Sequence, residues 1–373
     1  MRIKSISRFL SILIISAIAI LLIFPTFDSS YAQESCQVTN APNTEGKSYG
    51  DPHIKTFDGH RYSFQTVGEF ILVKSKNCKF EVQVRQVPLN TSVSLNSAVA
   101  MKLADNLVGF YVQDFPDSDT STPLRINGKP AKVEGKFLSL SDDGKIYKNG
   151  DNYVVEWATG EKVAVRIYQR GKFKYMDISV FVSNSPANQF IGLLGNANKN
   201  PKDDLRFRNG KKLPSKSTYG DVKNLVSRVS PVRLPLNRGM NAYLKKLNKD
   251  FGDSWRISQE ESLFDYAPNQ STNTFTNRSF PSEYLTLGRL STSELQSAQA
   301  TCREQNVQPE LMEGCIFDVA YSGYNGFART AAKAGEMINL LEDLGIPNPL
   351  RKVVPKPVRD VIKKVPKLPR FPF

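Results

Sequence analysis

The chain is 373 residues long, 40% hydrophobic and 23% charged, enough to bury one sizeable core and a smaller second unit. Its formal net charge of +14 favours anionic partners and says nothing about fold. Only His53 and His60 supply imidazole, no serine or cysteine sits in a nucleophile-elbow setting, and no glycine-rich loop cradles phosphate, so conventional enzymatic catalysis has little to work with.

Arg2, Lys4 and Arg8 precede an apolar run from Phe9 to Phe24, and Ser30-Tyr31-Ala32 supplies small residues at the positions a signal peptidase reads. Residues 1–32 therefore predict a secretory signal cut after Ala32, followed by a lead-in over 33–47. The apolar run is short for a bilayer span, and no later segment is apolar enough to be one, so a secreted or cell-surface-associated protein is expected. Of the 4 cysteines none lies in a CxxC arrangement, which in an exported chain favours disulfides over zinc. Cys302 and Cys315 are close in sequence and are paired with each other, leaving Cys36 with Cys78.

From Ile54 onward short runs rich in Val, Ile, Tyr and Phe alternate with period two. Strands are predicted at Arg61 to Phe64, Phe70 to Lys74, Phe80 to Val87, Val108 to Gln113, Phe137 to Leu140, Tyr153 to Trp157, Val163 to Tyr168 and Tyr175 to Val182. Asn127-Gly128, Asp143-Gly144, Asn149-Gly150 and Thr159-Gly160 supply turns between them. Many short strands with glycine-containing hairpin turns predict a mainly β chain built as an antiparallel β-sandwich.

Ile191 to Leu205, IGLLGNANKNPKDDL, then packs short oxygen-bearing side chains into one turn. Asn196, Asn198, Asp203 and Asp204, with the backbone carbonyl of Asn200, form a ligand set suited to a hard divalent cation. Far upstream, GDPHIKTFDGHRYSF places Asp58 in a turn between two strand-like runs. An EF-hand is excluded, because Pro201 sits where that loop needs glycine and no Glu closes it. The plain alternative is an Asn/Asp-rich turn whose side chains cap their own backbone.

At these two stretches the sequence resembles the von Willebrand factor type D domain. The opening signature reads Gly50-Asp51-Pro52-His53 and Thr56-Phe57-Asp58-Gly59, the closing one Gly192-Leu193-Leu194-Gly195-Asn196. The resemblance covers roughly Ser48 to Asp221, with Leu194 standing where the family usually has cysteine. It implies that the two signatures meet, that Asp58 completes a structural Ca²⁺ site, and that Cys36 and Cys78, deprived of their usual partners near the closing signature, join each other. Several mucin-like relatives are cut between Asp and Pro of GDPH, which raises the same question for Asp51 and Pro52 with His53 as proton donor. The Asp carboxyl can attack its own carbonyl carbon, and proline nitrogen is a comparatively basic leaving group. The plain alternative is that Pro52 and His53 shape the entry to the first strand.

After Asp221 the alternation fades. Residues 222–290 are expected to be an irregular linker, with a short basic helix at Leu244 to Phe251 and N-x-Ser/Thr sequons at Asn90, Asn269 and Asn277 across the chain. Ser291 to Gly345 reads as a helical unit stapled by Cys302 and Cys315. Within it Cys315 to Ala320, with Gly323, resembles a cysteine-containing element that often follows type D domains, and Asp318 is expected to cap or salt-bridge locally. Met337, Leu340, Leu341 and Leu344 share a helical face that should pack on the sandwich. The tail 346–373 is basic and proline-rich and favours extended chain, with anionic glycans, polymers or lipid headgroups as its partners, or none if it is merely solvated. Nucleic acid is not expected, because aromatic residues are not interleaved with its charges.

The sequence thus reads as a secreted, Ca²⁺-binding structural or adhesion module of the cell envelope or extracellular matrix, meeting extracellular proteins or anionic polymers. The alternative class is a self-processing protein cut at Asp51-Pro52. Type D domains often assemble through cysteine-rich neighbours, which this chain lacks, so covalent polymers are not expected.

Overall fold

A computed structural model describes residues 44–350 except 77–79, 104, 142, 171–172, 184–189, 221–229 and 348–349. The predicted signal, Cys36, Cys78 and their pairing, and the tail beyond residue 350 lie outside the described residues.

The predicted sandwich is present as two antiparallel sheets. One holds β1 (Thr44–Tyr49), β2 (His53–Lys55), β3 (Arg61–Ser63), β10 (Phe137–Ser139), β11 (Lys145–Asn149), β12 (Asn152–Glu156), β13 (Lys162–Arg170) and β14 (Phe173–Val182), in the order β10-β11-β12-β13-β14-β1-β2-β3. The other holds β4 (Gly68–Ser75), β5 (Glu81–Pro88), β6 (Ser94–Leu103), β7 (Asn106–Tyr111), β8 (Leu124–Ile126), β9 (Lys129–Pro130) and β15 (Phe190–Ile191), in the order β15-β4-β5-β6-β7-β8-β9. The lead-in predicted over 33–47 is corrected here: Thr44 to Lys47 belong to β1, an interior strand of the first sheet paired to β14 and to β2.

Alternation in β13 and β14 serves two cores. Val163, Val165, Met176, Ile178 and Val180 point into the sandwich, where they share one core with Leu72, Val82, Val84, Val99 and Phe110 of the other sheet. Ala164, Phe181, Tyr168 and Tyr175 point the other way, under helices. These strands are therefore covered on both faces, which is why apolar residues occur on both sides of their alternation.

β6 escaped the sequence reading because Ser94, Asn96 and Ser97 are polar yet fully or almost fully buried. Asn96 Nδ2 donates to Ser48 Oγ at 2.9 Å and to the Met176 carbonyl at 3.2 Å, so the amide is satisfied by the opposite sheet.

The helical unit comprises α3 (Thr292–Glu304), α4 (Met312–Ser322), α5 (Gly326–Gly335) and α6 (Met337–Asp343); α1 (Arg238–Lys245) and α2 (Gly252–Trp255) precede it. Ser291 caps α3 through the reciprocal box with Glu294. The Cys302–Cys315 disulfide joins α3 to α4 with Cα atoms 6.1 Å apart, as predicted. α5 docks on the outer face of the first sheet: Lys47 Nζ donates to the Ala334 carbonyl at 2.7 Å, Arg166 Nη1 to the Lys333 carbonyl at 2.7 Å, and Tyr175 Oη lies 2.6 Å from Thr330 Oγ1. Met337, Leu340 and Leu341 bury against Tyr147, Val154, Ala164 and Phe181, as the stripe predicted.

The described part of 222–290 is irregular but is no free linker. Arg238 to Trp255 are helical, and residues 256–280 run as a strap across the second sheet, Ile257 N–H donating to the Glu69 carbonyl at 3.1 Å and Asn277 N–H to the Val67 carbonyl at 3.3 Å. Under the strap the buried Arg85 guanidinium pairs with Glu69 at 2.7 Å and lies 3.5 Å from the Phe275 ring centroid and 4.7 Å from that of Phe264. Aromatic faces thus meet a cation whose Nη1 and Nη2 have no hydrogen-bond partner among the described residues.

Candidate functional site

The two signatures meet at one end of the sandwich. Leu194 N–H donates to the Leu72 carbonyl at 3.0 Å, fastening the closing loop to β4, and the Leu194 carbonyl accepts Phe57 N–H at 3.0 Å. Tyr62 Oη adds a bond to the Leu193 carbonyl at 2.7 Å. Leu194, at the position where cysteine was expected, is completely buried in the core.

Asp58 is thereby set against the Asn196 loop. Its carboxylate accepts the Lys199 and Asn198 N–H groups at 2.8 and 3.0 Å. Asp204 is buried, with Thr56 Oγ1 donating to Oδ2 at 2.6 Å; burial, assisted by the neighbouring charge of Asp58, pushes its carboxyl up to about 7. Asn196 Oδ1 is buried and without a hydrogen-bond partner among the described residues. A pair of close carboxylates and an orphaned amide oxygen fit a hard cation, which would supply the missing positive charge and coordination.

The rest of the predicted set is used differently. Asp203 directs its carboxylate to Arg206 Nη2 at 2.5 Å and Lys212 Nζ at 3.5 Å, and accepts the Asn196 and Asn198 amides at 3.3 and 3.2 Å. Burial alone would raise Asp203, but these donors outweigh it and hold the carboxyl below its usual range. Asn198 Oδ1 accepts Asn200 N–H at 2.8 Å, the Asn200 side chain caps the short turn Pro201–Asp203, and its carbonyl accepts Asp203 N–H at 3.3 Å. Asn200 thus takes the self-capping role that the plain-turn reading assigned to the whole loop.

A second cluster lies where the opening signature passes under the helical unit. His53 on β2 is completely buried; its Nε2 is 2.5 Å from Asp318 Oδ1 and 2.9 Å from Asp51 Oδ1, and its Nδ1 is 2.7 Å from Tyr219 Oη. These three acid and base groups each place one atom within 4.8 Å of the others, at hydrogen-bond distances. Burial by itself would discharge the ring, but the Asp318 and Asp51 charges outweigh it and push His53 up to about 10. These partners favour the protonated ring, whose Nε2 faces the two carboxyl groups and whose Nδ1 faces Tyr219 Oη. Burial and the nearby Asp51 charge push Asp318 well above the usual carboxylate range.

Asp318 corrects the sequence reading: on α4 it makes a buried contact with His53 instead of a local cap or salt bridge. The long-range partner left no signal at its own position. Local glycines are its trace. Gly50 has φ +62, and a Cβ there would lie 2.2 Å from Asp318 Oδ2; a Cβ on Gly314 would lie 2.9 Å from His53 Cδ2. Asp51 Oδ1 also accepts Gln65 Nε2 at 3.0 Å, while its Oδ2 is buried without a hydrogen-bond partner among the described residues.

A two-sheet antiparallel sandwich, closed by an oxygen-rich loop folded onto its opening turn and backed by a disulfide-stapled helical unit, defines the class as a β-sandwich module. Residues 46–211, a little under half of the chain, match the von Willebrand factor type D domain. The chain is 24% identical to human Sushi domain-containing protein 2 over 181 residues, covering 46% of this chain and 21% of that protein. It is 26% identical to SCO-spondin of Gallus gallus over 179 residues, 46% of this chain and 3% of that one, and 26% identical to Mucin-4 of Mus musculus over 198 residues, 46% and 5% respectively. The chain therefore spans about a fifth or less of the length of these relatives. Among the described residues no helix is long and apolar enough to cross a membrane.

Proposed function

We propose that the chain is a secreted structural or adhesive module whose sandwich is tied together by Ca²⁺ at Asp58, Asp204 and Asn196, and whose basic tail meets anionic polymers or cell-surface proteins. The observation that carries the ion site is the convergence of Asp58 and Asp204 beside the unpartnered Asn196 Oδ1. The ion would bind only the folded protein and so stabilise it, tying the closing loop to the opening turn. Thermal unfolding with Ca²⁺ and with chelator, beside Asp204→Ala, tests this: the midpoint rises with Ca²⁺ in the parent and not in the variant.

A second reading, self-processing between Asp51 and Pro52, is favoured by one observation: the Asp51 carboxyl shares a buried site with the imidazole of the residue following the scissile proline, His53 Nε2 lying 2.9 Å from Asp51 Oδ1. Intact mass of the secreted protein, read after reduction and denaturation, tests it through a fragment beginning at Pro52.

A further inference from the structure

We propose that Asp318, supplied by the helical unit, is a positioning residue that readies the Asp51–Pro52 bond for scission, so that the bond breaks only when that unit is docked on the sandwich. This rests on the self-processing reading and adds to it a residue 265 positions away from His53.

The step begins with Asp51 ionised and His53 protonated. Asp51 Oδ2 attacks its own main-chain carbonyl carbon, closing a five-membered cyclic anhydride. The C–N bond to Pro52 breaks, its electron pair stays on the proline nitrogen, and that nitrogen takes a proton from the imidazolium. Water then opens the anhydride, leaving Asp51 with two free carboxyl groups and Pro52 as a new N-terminus. No oxidant or reductant takes part.

The geometry divides the labour. Asp51 Oδ2 is buried and bonded to no described group, so the attacking oxygen is not masked by a donor. Its Oδ1 is held by Gln65 at 3.0 Å and by His53 at 2.9 Å. Asp318, at 2.5 Å, is the closer acceptor on Nε2. It therefore carries most of that hydrogen bond, fixing the ring while Asp51 stays available. With Asp318 absent, Asp51 alone would face the imidazolium, which would bind the nucleophile and lose its proton at lower pH. Gly314 lets α4 come near enough for this contact.

The other groups facing the cluster do not replace Asp318. Tyr219 and Tyr49 both pack their rings on His53 and, being buried, keep their phenolic protons; Asp177 is turned to Gly50 N–H at 2.9 Å. Glu313 on α4 is half-buried, its carboxyl raised by burial and opposed by the charges of Arg61 and His53.

The experiment uses the full chain, purified under acid-free, cold conditions, and follows the Pro52 fragment by mass spectrometry from pH 4 to 9 for the parent, Asp318→Asn and Asp318→Glu. The parent is expected to be cut at a rate that holds to high pH. Asp318→Asn should be slower by about a hundredfold at pH 8, the scale of one proton-transfer contribution, with its alkaline limb moved to lower pH. Asp318→Glu should restore part of the rate and the position of that limb. A merely structural role for Asp318 would lower the melting midpoint without moving the limb. Should Asp318→Asn fail to fold, Gly314→Ala keeps every charge and displaces α4 from His53, and slower cutting is again expected. An Asp318→Asn chain cut at the parent's rate with the parent's pH profile overturns the role of Asp318 and leaves self-processing intact. A folded parent never cut after Asp51 overturns both.

Discussion

Gly50 shows how much one residue decides. Its φ of +62 and the 2.2 Å that would separate an added Cβ from Asp318 Oδ2 leave no room for a side chain. Gly50→Ala should cost at least about 2 kcal/mol of unfolding free energy in urea titration, combining left-handed strain with a steric clash on a buried carboxylate. Asp177, which accepts Gly50 N–H, gives a pH signature. Burial, opposed by that N–H, pushes its carboxyl up to about 6 from an ordinary 3.8. A raised folded-state value means that the proton is held more tightly in the native protein, so this contribution is complete below the ordinary value and is lost as pH rises through about 6. Asp177→Asn should flatten the stability profile between those limits by up to about 3 kcal/mol, measured by urea midpoints at successive pH values. Residues of this kind are only half legible in sequence. The GDPH string marks the spot, but nothing near Asp318 or Asp177 announces that they close on it, because their partners arrive from other elements.

Among elements, the strap over the second sheet turns an apparent linker into part of the fold. Its hold depends on the buried Glu69–Arg85 pair and the aromatic rings above it. Arg85→Met should destabilise by about 3–5 kcal/mol in denaturant titration, since it leaves Glu69 charged and unpaired, while adding Glu69→Gln should recover much of that loss. The strands that carried Val, Ile and Phe alternation were readable, and so was the amphipathic α6. β6 was not, because Asn96 is satisfied across the sandwich, Ser94 by Gln65 and Ser97 by the Arg85 carbonyl of the neighbouring strand, and a hydropathy pattern registers only apolar burial. The strap was unreadable for a related reason: its contacts run through backbone N–H groups, Gln83 and a caged arginine, which leave no period in the sequence.

For the whole molecule, the proposed Ca²⁺ site predicts that stability is a function of free Ca²⁺. At a hundredfold excess over its dissociation constant, Ca²⁺ should add about 2.7 kcal/mol to the unfolding free energy, seen as a rising calorimetric midpoint that chelator reverses. The convergence of the two signatures was legible through the resemblance to the type D domain, whose two local strings stand in order in this chain. The division of labour within the loop was not: Asn200 is absorbed in capping and Asp203 answers to Arg206 and Lys212, arrangements that depend on where the loop's neighbours come to rest.

β1 lies between β14 and β2, bonded on both edges and leading directly into Asp51. A pull transmitted from the N-terminal side therefore runs along the strand axis, and both rows of hydrogen bonds must shear together before the strand slides. An intact Asp51–Pro52 bond passes such tension on into the covalent chain. A severed one would leave β1 as an inserted peptide held by those bonds and its buried side chains, so the load would pass sideways into the sheet and, beyond it, to the Cys36–Cys78 bridge expected to span the cut.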